Sequence, residues 1–507
     1  MSAARAQALA RNALSGAGRY AVTALLALAV LPFTLEHLGR ERFGVWALAG
    51  VILPAARLLD LGLHRALVRT VARAKGQAEL AAAALATGRG LALALGGGWI
   101  VLVWLVSPSL VRWLNVPPHL QAEAVYVLIG TTVVAAIELL FAPSQAALDG
   151  LGRMDLSNGV DTVQRILSAL GVVLVLSLGW GLPGLVWKNA ATTAIAGCAY
   201  GWLLHRCAPE LGRLRLRLSW KEARALMVFG RYVQTVNLGA LLIEPVTKAA
   251  LSRATGPASV GLYDIAARVV SQVSGAFLAL ALATFPAAAE LHATGRGTDP
   301  AAVVALYRAA ARYSAWLALP VFGLLIALAG PFVAAWLGPG YAQVAWAIAG
   351  LGAGWLVAIL SAPAYLVAQA SGHERTSTAA SLTTATVSIG LAVVMISRLG
   401  LAGAVLAVGL GLAAGGVVML AGFARIFGLG RQTVTVIGGR APLATALCLP
   451  PARALTAVLP AGLAAVLVAG LLGLALYAAL LAALGAIGPA ERAFARALLR
   501  RDPTPSA

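Results

Sequence analysis

The sequence predicts an all-α polytopic membrane protein of about fourteen transmembrane helices, arranged as two six-helix lobes in parallel repeat plus two C-terminal helices. Three observations predict it. Of 507 residues, 60% are apolar and 11% charged, with mean hydropathy +0.87, whereas a soluble domain carries about 25% charge. Apolar runs of roughly 18–25 residues, the length that crosses a bilayer, recur from end to end. The first two-fifths of the chain also return about 215 residues later.

The runs lie near 18–38, 43–63, 90–107, 122–142, 163–180, 184–204, 225–250, 259–286, 313–333, 344–368, 377–397, 401–421, 441–459 and 461–487. The first has no small-residue cleavage site after it and flows into the repeat, so it reads as a retained helix and not a signal peptide. Pro450, Pro451 and Pro460 interrupt the last two, whose bounds are the least defined. The expected divisions are 1–212 for the first lobe, 213–430 for the second, and 431–507 for two extra spans with a basic tail.

The repeat is visible in local sequence. Gly18-Arg19-Tyr20 returns as Gly230-Arg231-Tyr232, and Phe43-Gly44-Val45-Trp46 is echoed by Val260-Gly261-Leu262-Tyr263. Ala142-Pro143 with Gly152-Arg153 returns as Ala362-Pro363 with Gly372-His373. Gly181-Leu182-Pro183-Gly184 returns as Gly400-Leu401-Ala402-Gly403. Six spans is an even number, so the two copies keep one orientation, related by an axis along the membrane normal.

The formal net charge of +20 does not point to nucleic acid. With the N-terminus in the cytoplasm, Arg65, Arg69, Arg73 and Lys75 fall on the cytoplasmic side. So do the basic residues of 206–224, then Arg425, Arg431 and Arg440, and Arg492 to Arg501 in the tail. About 27 of the 38 Lys and Arg lie on that side and about 5 on the other, the positive-inside bias. The excess is a topology signal, with anionic-lipid contact secondary. It places both termini in the cytoplasm.

No catalytic residue, cofactor or metal is expected. Cys198, Cys207 and Cys448 show neither a bridge framework nor ligand spacing. The six histidines are scattered, and no GxxxxGK[ST] motif is present to cradle a nucleotide. The large soluble portion or acidic cluster of a membrane glycosyltransferase is not visible.

Two like-oriented lobes leave a cleft at the midplane, and polar residues should mark the helices that line it, because charge facing lipid is costly. At about 100° per residue, Gln234, Asn237, Glu244 and Lys248 of the seventh span fall within roughly 80° of one another. Asp264, Arg268, Ser271, Gln272 and Gly275 form a stripe of roughly 100° on the eighth. Glu244 with Lys248 and Asp264 with Arg268 are acid-then-base pairs at i,i+4, the order that neutralises best. The repeat mates of these spans carry Arg19, Thr23 and Thr34 on the first, and Arg57 with Asp60 on the second. The cavity candidates are Arg268, Lys248, Arg57, Arg19, Arg231, Gln234, Asn237 and Gln272; those for ion coupling are Asp60, Glu138, Glu244 and Asp264.

Plainer roles stand beside these. Arg19, Arg57 and Asp60 lie near cytoplasmic ends, where long side chains snorkel to the interface. Lys188 reads as an interface anchor. Glu138 fits a protonated or hydrogen-bonded structural group as well as a coupling site. Pro32, Pro54, Pro245, Pro286, Pro320 and Pro363 are either packing kinks or bending points, and Pro32 and Pro245 occupy equivalent places in the two copies. Trp99, Trp104, Trp113, Trp336 and Tyr341 read as interface belts.

The segments Leu38–Trp46, Leu59–Arg69, Ala147–Asn158, Val260–Arg268 and Trp336–Tyr341, in that order and spacing, resemble the bacterial oligosaccharide-lipid flippases of polysaccharide biosynthesis. That family belongs to the multidrug/oligosaccharidyl-lipid/polysaccharide exporter superfamily. The resemblance covers nearly the whole chain. It implies a V-shaped pair of six-helix lobes with two extra helices, and a polyprenyl-diphosphate-linked oligosaccharide as cargo. It also implies, from related peptidoglycan-precursor flippases, that Arg19, Arg57 and Arg268 take the place of arginines around the cargo diphosphate, although the sequence flanking Arg19 and Arg57 departs from those relatives.

Arginine suits a diphosphate through charge-assisted bidentate bonds, but the intramembrane charges are nearly balanced and do not settle the cargo. The leading reading is a lipid-linked oligosaccharide flippase working by alternating access and driven by an ion gradient or the membrane potential. The second is a proton- or sodium-coupled drug exporter of the same fold. The third is a non-transporting scaffold for polysaccharide assembly. A coupling ion (proton or sodium) and a polymerase or glycosyltransferase are the expected further partners.

Overall fold

In the computed structural model the described residues are 26, 28–51, 62–74, 77–212, 216, 219–282, 300–429 and 439–486. At 212, 221–222, 225–238, 240, 279–282, 300 and 302 the description is confined to the backbone. Helices are the only regular elements among these residues. Residues 28–38 (α1) and 40–49 (α2) are helical on either side of Gly39, whose φ of 72° turns the chain. Then follow α3 (Leu63–Arg73), α4 (Ala78–Trp113), α5 (Gln121–Gly150), α6 (Met154–Ser177) and α7 (Gly181–Cys207). The second half holds α8 (Trp220–Thr255), α9 (Pro257–Leu282), α10 (Pro300–Leu337), α11 (Ala342–Ala370), α12 (Glu374–Leu399) and α13 (Leu401–Ile426). The chain closes with α14 (Arg440–Val458) and α15 (Leu463–Ala483).

Nine helices among the described residues are long and apolar enough to cross a membrane: α4, α5, α6 and α10 through α15. α7 is not one of them, because Lys188, Asn189, Thr192 and Thr193 give it a polar face. Their outer surfaces are apolar. Leu463, Leu467 and Leu471 of α15 are exposed, while Ala465, Ala469 and Gly473 on its opposite stripe are packed inside. Large residues outward and small residues inward is the arrangement of helices whose backbones meet closely in lipid.

The internal repeat reappears in the turns. Gly39 and Gly256 hold positive φ at the α1–α2 and α8–α9 turns, and Gly152 and Gly372 at the α5–α6 and α11–α12 turns. Gly179 and Gly400 do so before α7 and α13. Asn115, at φ 56°, matches Gly338 at φ 91°, and each precedes a short 3₁₀ turn, Pro118–Leu120 and Pro339–Tyr341. Each pair lies roughly 220 residues apart, the offset of the sequence repeat. Asparagine is one of few residues with a side chain that tolerate this left-handed conformation, which is how one copy dispenses with glycine.

Proline interrupts these helices less than the sequence implies. α14 runs unbroken through Pro450 and Pro451, and the chain departs from helix only around Pro460, between Val458 and Leu463. Pro245, Pro320 and Pro363 lie inside α8, α10 and α11, and Pro32 inside α1. Neighbouring helices re-satisfy the carbonyls such prolines leave. Pro54 and Pro286 lie outside the described residues.

The described residues fall into two compact units. One comprises α1 through α8, α9 up to Arg268, and the stretch Ser381–Gly411 of α12 and α13. The other comprises the remainder of α9, α12 and α13, with α10, α11, α14 and α15. In the first, Leu67 of α3, Leu85 of α4, Leu148 of α5 and Leu204 of α7 meet in one fully buried core. A second core gathers Val45, Val127, Val175 and Leu185 from α2, α5, α6 and α7. In the other unit, Tyr307 of α10 and Phe423 of α13 pack with tilted rings, centroids 4.5 Å apart, in one core with Ala364 and Ala368 of α11.

Candidate functional site

Both i,i+4 ion pairs read from the sequence form, and they join into one row. Lys248 Nζ lies 2.6 Å from Glu244 Oε1 on α8 and 2.6 Å from Asp264 Oδ1 on α9. Asp264 Oδ2 in turn accepts from Arg268 Nε at 2.5 Å. Lys248 Nζ also donates to the Ala47 carbonyl of α2 at 3.4 Å. The inner pair is buried, with Lys248 2% and Asp264 4% exposed, whereas Glu244 and Arg268 keep 53% and 50% of their side-chain surface.

The helices place these groups by phase. Glu244 and Lys248 are one turn apart on α8, as Asp264 and Arg268 are on α9, and the tight Gly256 turn sets the two helices side by side. The row alternates in sign and sums to zero, which offsets the desolvation of its buried centre. Chemically, Arg268 offers a half-exposed guanidinium anchored from behind, suited to an anionic oxygen. A ligand anion there competes with Asp264 for the same cation.

The beginning of α9 lies against α2 through two repeat-related glycines. A Cβ on Gly44 would stand 1.9 Å from the Pro257 carbonyl oxygen, and one on Gly261 would stand 3.4 Å from the Gly44 Cα. The end of α8 is tied to the end of α4. Ser252 Oγ donates to the Leu114 carbonyl at 2.6 Å and Arg253 Nη1 to that of Trp113 at 3.3 Å. The Arg253 guanidinium also lies 4.9 Å over the Trp113 ring.

The remaining candidates divide. Gln272 is half-buried on α9. Arg231, Gln234 and Asn237 lie on the backbone of α8, with side chains outside the description. Arg19, Thr23, Arg57 and Asp60 lie outside the described residues. Thr34 is buried, its hydroxyl donating to the Val30 carbonyl at 2.8 Å.

Glu138 opens onto a feature not anticipated from sequence, a partly open polar cavity of about 340 Å³ lined by α5, α6 and α7. α5 contributes Glu138, Phe141, Ala142 and Gln145; α6 contributes Asp161, Gln164, Arg165 and Ser168; α7 contributes Asn189, Thr192, Thr193 and Tyr200. On α5 and α6 these recur at i, i+3 or i+4, and i+7, and on α7 Asn189, Thr192 and Thr193 keep the i, i+3 and i+4 spacing, the signal that could have revealed the cavity. Tyr200 donates its hydroxyl to Asp161 Oδ1. Lys188 is not an interface anchor: it is 9% exposed and turns inward, donating to Ser168 Oγ at 2.8 Å. Arg89 of α4, also unforeseen, is buried and donates to Ser144 Oγ at 3.3 Å and to the Leu211 carbonyl at 3.5 Å. Among the described residues, no group of three or more His, Cys, Asp or Glu could hold a metal ion.

Residues 37–345 match the family described as polysaccharide biosynthesis protein. The uncharacterized membrane protein EpsK of Bacillus subtilis (strain 168) is 25% identical over 400 residues, which cover 76% of this chain and 77% of that one. A Shigella flexneri protein named as a candidate O-antigen transporter is 21% identical over 277 residues, covering 53% of this chain and 63% of its own length. Among solved structures, the lipid II flippase MurJ in an inward closed conformation superposes with TM-score 0.73 at 12% identity, covering 95% of this chain and 99% of MurJ. An inward-facing MATE multidrug transporter superposes with TM-score 0.71 at 17% identity, covering 81% and 96%. With the family matched over more than half its length, and its fold shared with these transporters, the chain belongs to the polysaccharide biosynthesis protein family of multi-pass membrane proteins.

Proposed function

We propose that the protein flips a polyprenyl-diphosphate-linked oligosaccharide from the cytoplasmic to the outer leaflet of a bacterial inner membrane by alternating access. The observation that carries this reading is the α8–α9 row, in which the half-exposed Arg268 rests on the buried Asp264–Lys248 pair. Arg268 supplies charge-assisted donors to the diphosphate, and the row behind it keeps the site neutral when empty. The two lobes divide near 212, with the α14–α15 pair and tail beyond 430, and both termini face the cytoplasm, as the basic loops require. A proton or sodium gradient or the membrane potential drives the cycle, with Asp60, Glu138, Glu244 and Asp264 as the carboxylates open to coupling. The protein performs no bond chemistry; a polymerase or glycosyltransferases act on either side of it.

The test is transport in reconstituted vesicles. Arg268→Ala is expected to lower flux of the lipid-linked oligosaccharide while insertion and expression stay at the parental level. Unchanged flux in that variant would refute the role of Arg268.

A further inference from the structure

The α5–α6–α7 cavity has no part in the α8–α9 row, yet its size lies within the 300–1,000 Å³ of ordinary ligand pockets. Its lining is built of groups that both give and accept hydrogen bonds. Gln145, Gln164 and Asn189 contribute amides, and Ser168, Thr192 and Thr193 contribute hydroxyls. The side chains of Gln145, Arg165 and Asn189 meet no hydrogen-bond partner among the described residues, so their capacity remains unspent.

Two lining groups are held in fixed orientation from behind. Ser168 Oγ accepts from the buried Lys188, which directs its own O–H elsewhere, and Asp161 accepts from Tyr200 at Oδ1, which leaves Oδ2 as an acceptor. Phe141 lays a flat apolar face along the wall because Gly197 of α7 has no side chain; a Cβ there would stand 2.2 Å from the ring. Glu138 and Asp161 are balanced by Arg165 in the lining and by Lys188 directly behind Ser168, so the cavity holds no excess charge to select an ion of either sign. A neutral ligand that both donates and accepts at many points, with an apolar ring face, matches the whole set. That description is a sugar.

We propose that this cavity is a carbohydrate subsite, which takes one sugar unit of the cargo through Gln164, Asn189, Gln145 and Asp161 while its ring packs on Phe141. It rests on the flippase reading above and deepens it by separating sugar recognition in α5–α7 from diphosphate recognition on α9. Amides aimed at hydroxyls discriminate well, because an analogue lacking the sugar leaves them unpaired.

The test uses the full chain in lipid nanodiscs, titrated with bare polyprenyl diphosphate and with the same lipid bearing one hexose, one N-acetylhexosamine or one hexuronic acid. At least one glycosylated lipid is expected to bind about tenfold tighter than the bare lipid, a difference of about 1.4 kcal/mol. Gln164→Leu with Asn189→Leu should erase that preference and leave affinity for the bare lipid unchanged. Ala142→Phe, which fills the cavity without removing a polar group, should do the same, and matching thermal unfolding of the variants shows that they fold. Retention of the sugar preference in both variants overturns the subsite, as does equal loss of bare and glycosylated lipid. A wild-type protein that does not distinguish the lipids also overturns it, as does a response to sodium or pH in place of sugar. Binding of neither lipid to the wild type overturns the flippase reading itself, and this inference with it.

Discussion

Lys248 Nζ stands 2.6 Å from Asp264 Oδ1 with both side chains buried, while their outer partners Glu244 and Arg268 remain half exposed. A row with a buried centre and exposed ends is costly to break in the middle and cheap to perturb at its tips. Removing one partner of a buried pair costs about 3–5 kcal/mol, because the other charge stays behind. Asp264→Asn should therefore lower the unfolding temperature in detergent, measured at a fixed scan rate. The double change Lys248→Met with Asp264→Leu should recover much of the loss, since both desolvation penalties disappear together. Strictly additive losses would show that the two charges do not support each other.

Gly44 and Gly261 are repeat mates with unequal surroundings. A Cβ on Gly44 meets the Pro257 carbonyl at 1.9 Å, whereas one on Gly261 first meets the Phe43 ring, at 3.0 Å. A backbone carbonyl cannot swing aside as a ring can. Gly44→Ala is expected to cost about 1–3 kcal/mol as an overpacking defect, and Gly261→Ala clearly less. Paired thermal unfolding curves check the order, and equal stability of the two variants would contradict the close approach of α2 and α9.

Much of this architecture was legible because the membrane imposes simple rules. Run length gave the nine spans found among the described residues, and repeat spacing gave the recurrence of turn glycines such as Gly152 and Gly372. The α8–α9 charges were legible because acid and base sat one turn apart on a single helix. What escaped was polarity shared among helices. Glu138 looked solitary in an apolar span, and only the packing of α5, α6 and α7 brings it beside Asp161, Arg165 and Tyr200. Lys188 was misread for a related reason: its distance from the span centre implied an interface, but Gly171 opposite leaves room for its stem to enter between α6 and α7.

The repeat fixes which turns share a side. The turns at Asn115, Gly179, Gly338 and Gly400 should all lie on one face of the membrane, and those at Gly152 and Gly372 on the other. In a background with Cys198, Cys207 and Cys448 changed to Ser, a single cysteine at Gly179 or Gly400 should react with a membrane-impermeant maleimide added to intact cells. One at Gly152 or Gly372 should react only after permeabilisation. Labelling of all four from outside would break the parallel repeat.

The contact between the ends of α4 and α8 makes alternating access directly testable. Arg253 both donates to the Trp113 carbonyl and stacks on its ring, and both side chains are exposed to reagent. If the cargo leaves toward the outer leaflet between α4 and α8, these ends must part once per cycle. In the same cysteine-free background, Trp113→Cys with Arg253→Cys joined by a short bis-methanethiosulfonate linker should stop flux of the lipid-linked oligosaccharide. A reductant should restore it, because the linker is held by disulfides. Either cysteine alone, treated identically, should transport at its untreated rate, which separates the tether from simple modification. Undiminished flux in the cross-linked protein would mean that α4 and α8 stay together throughout the cycle and that cargo takes another route.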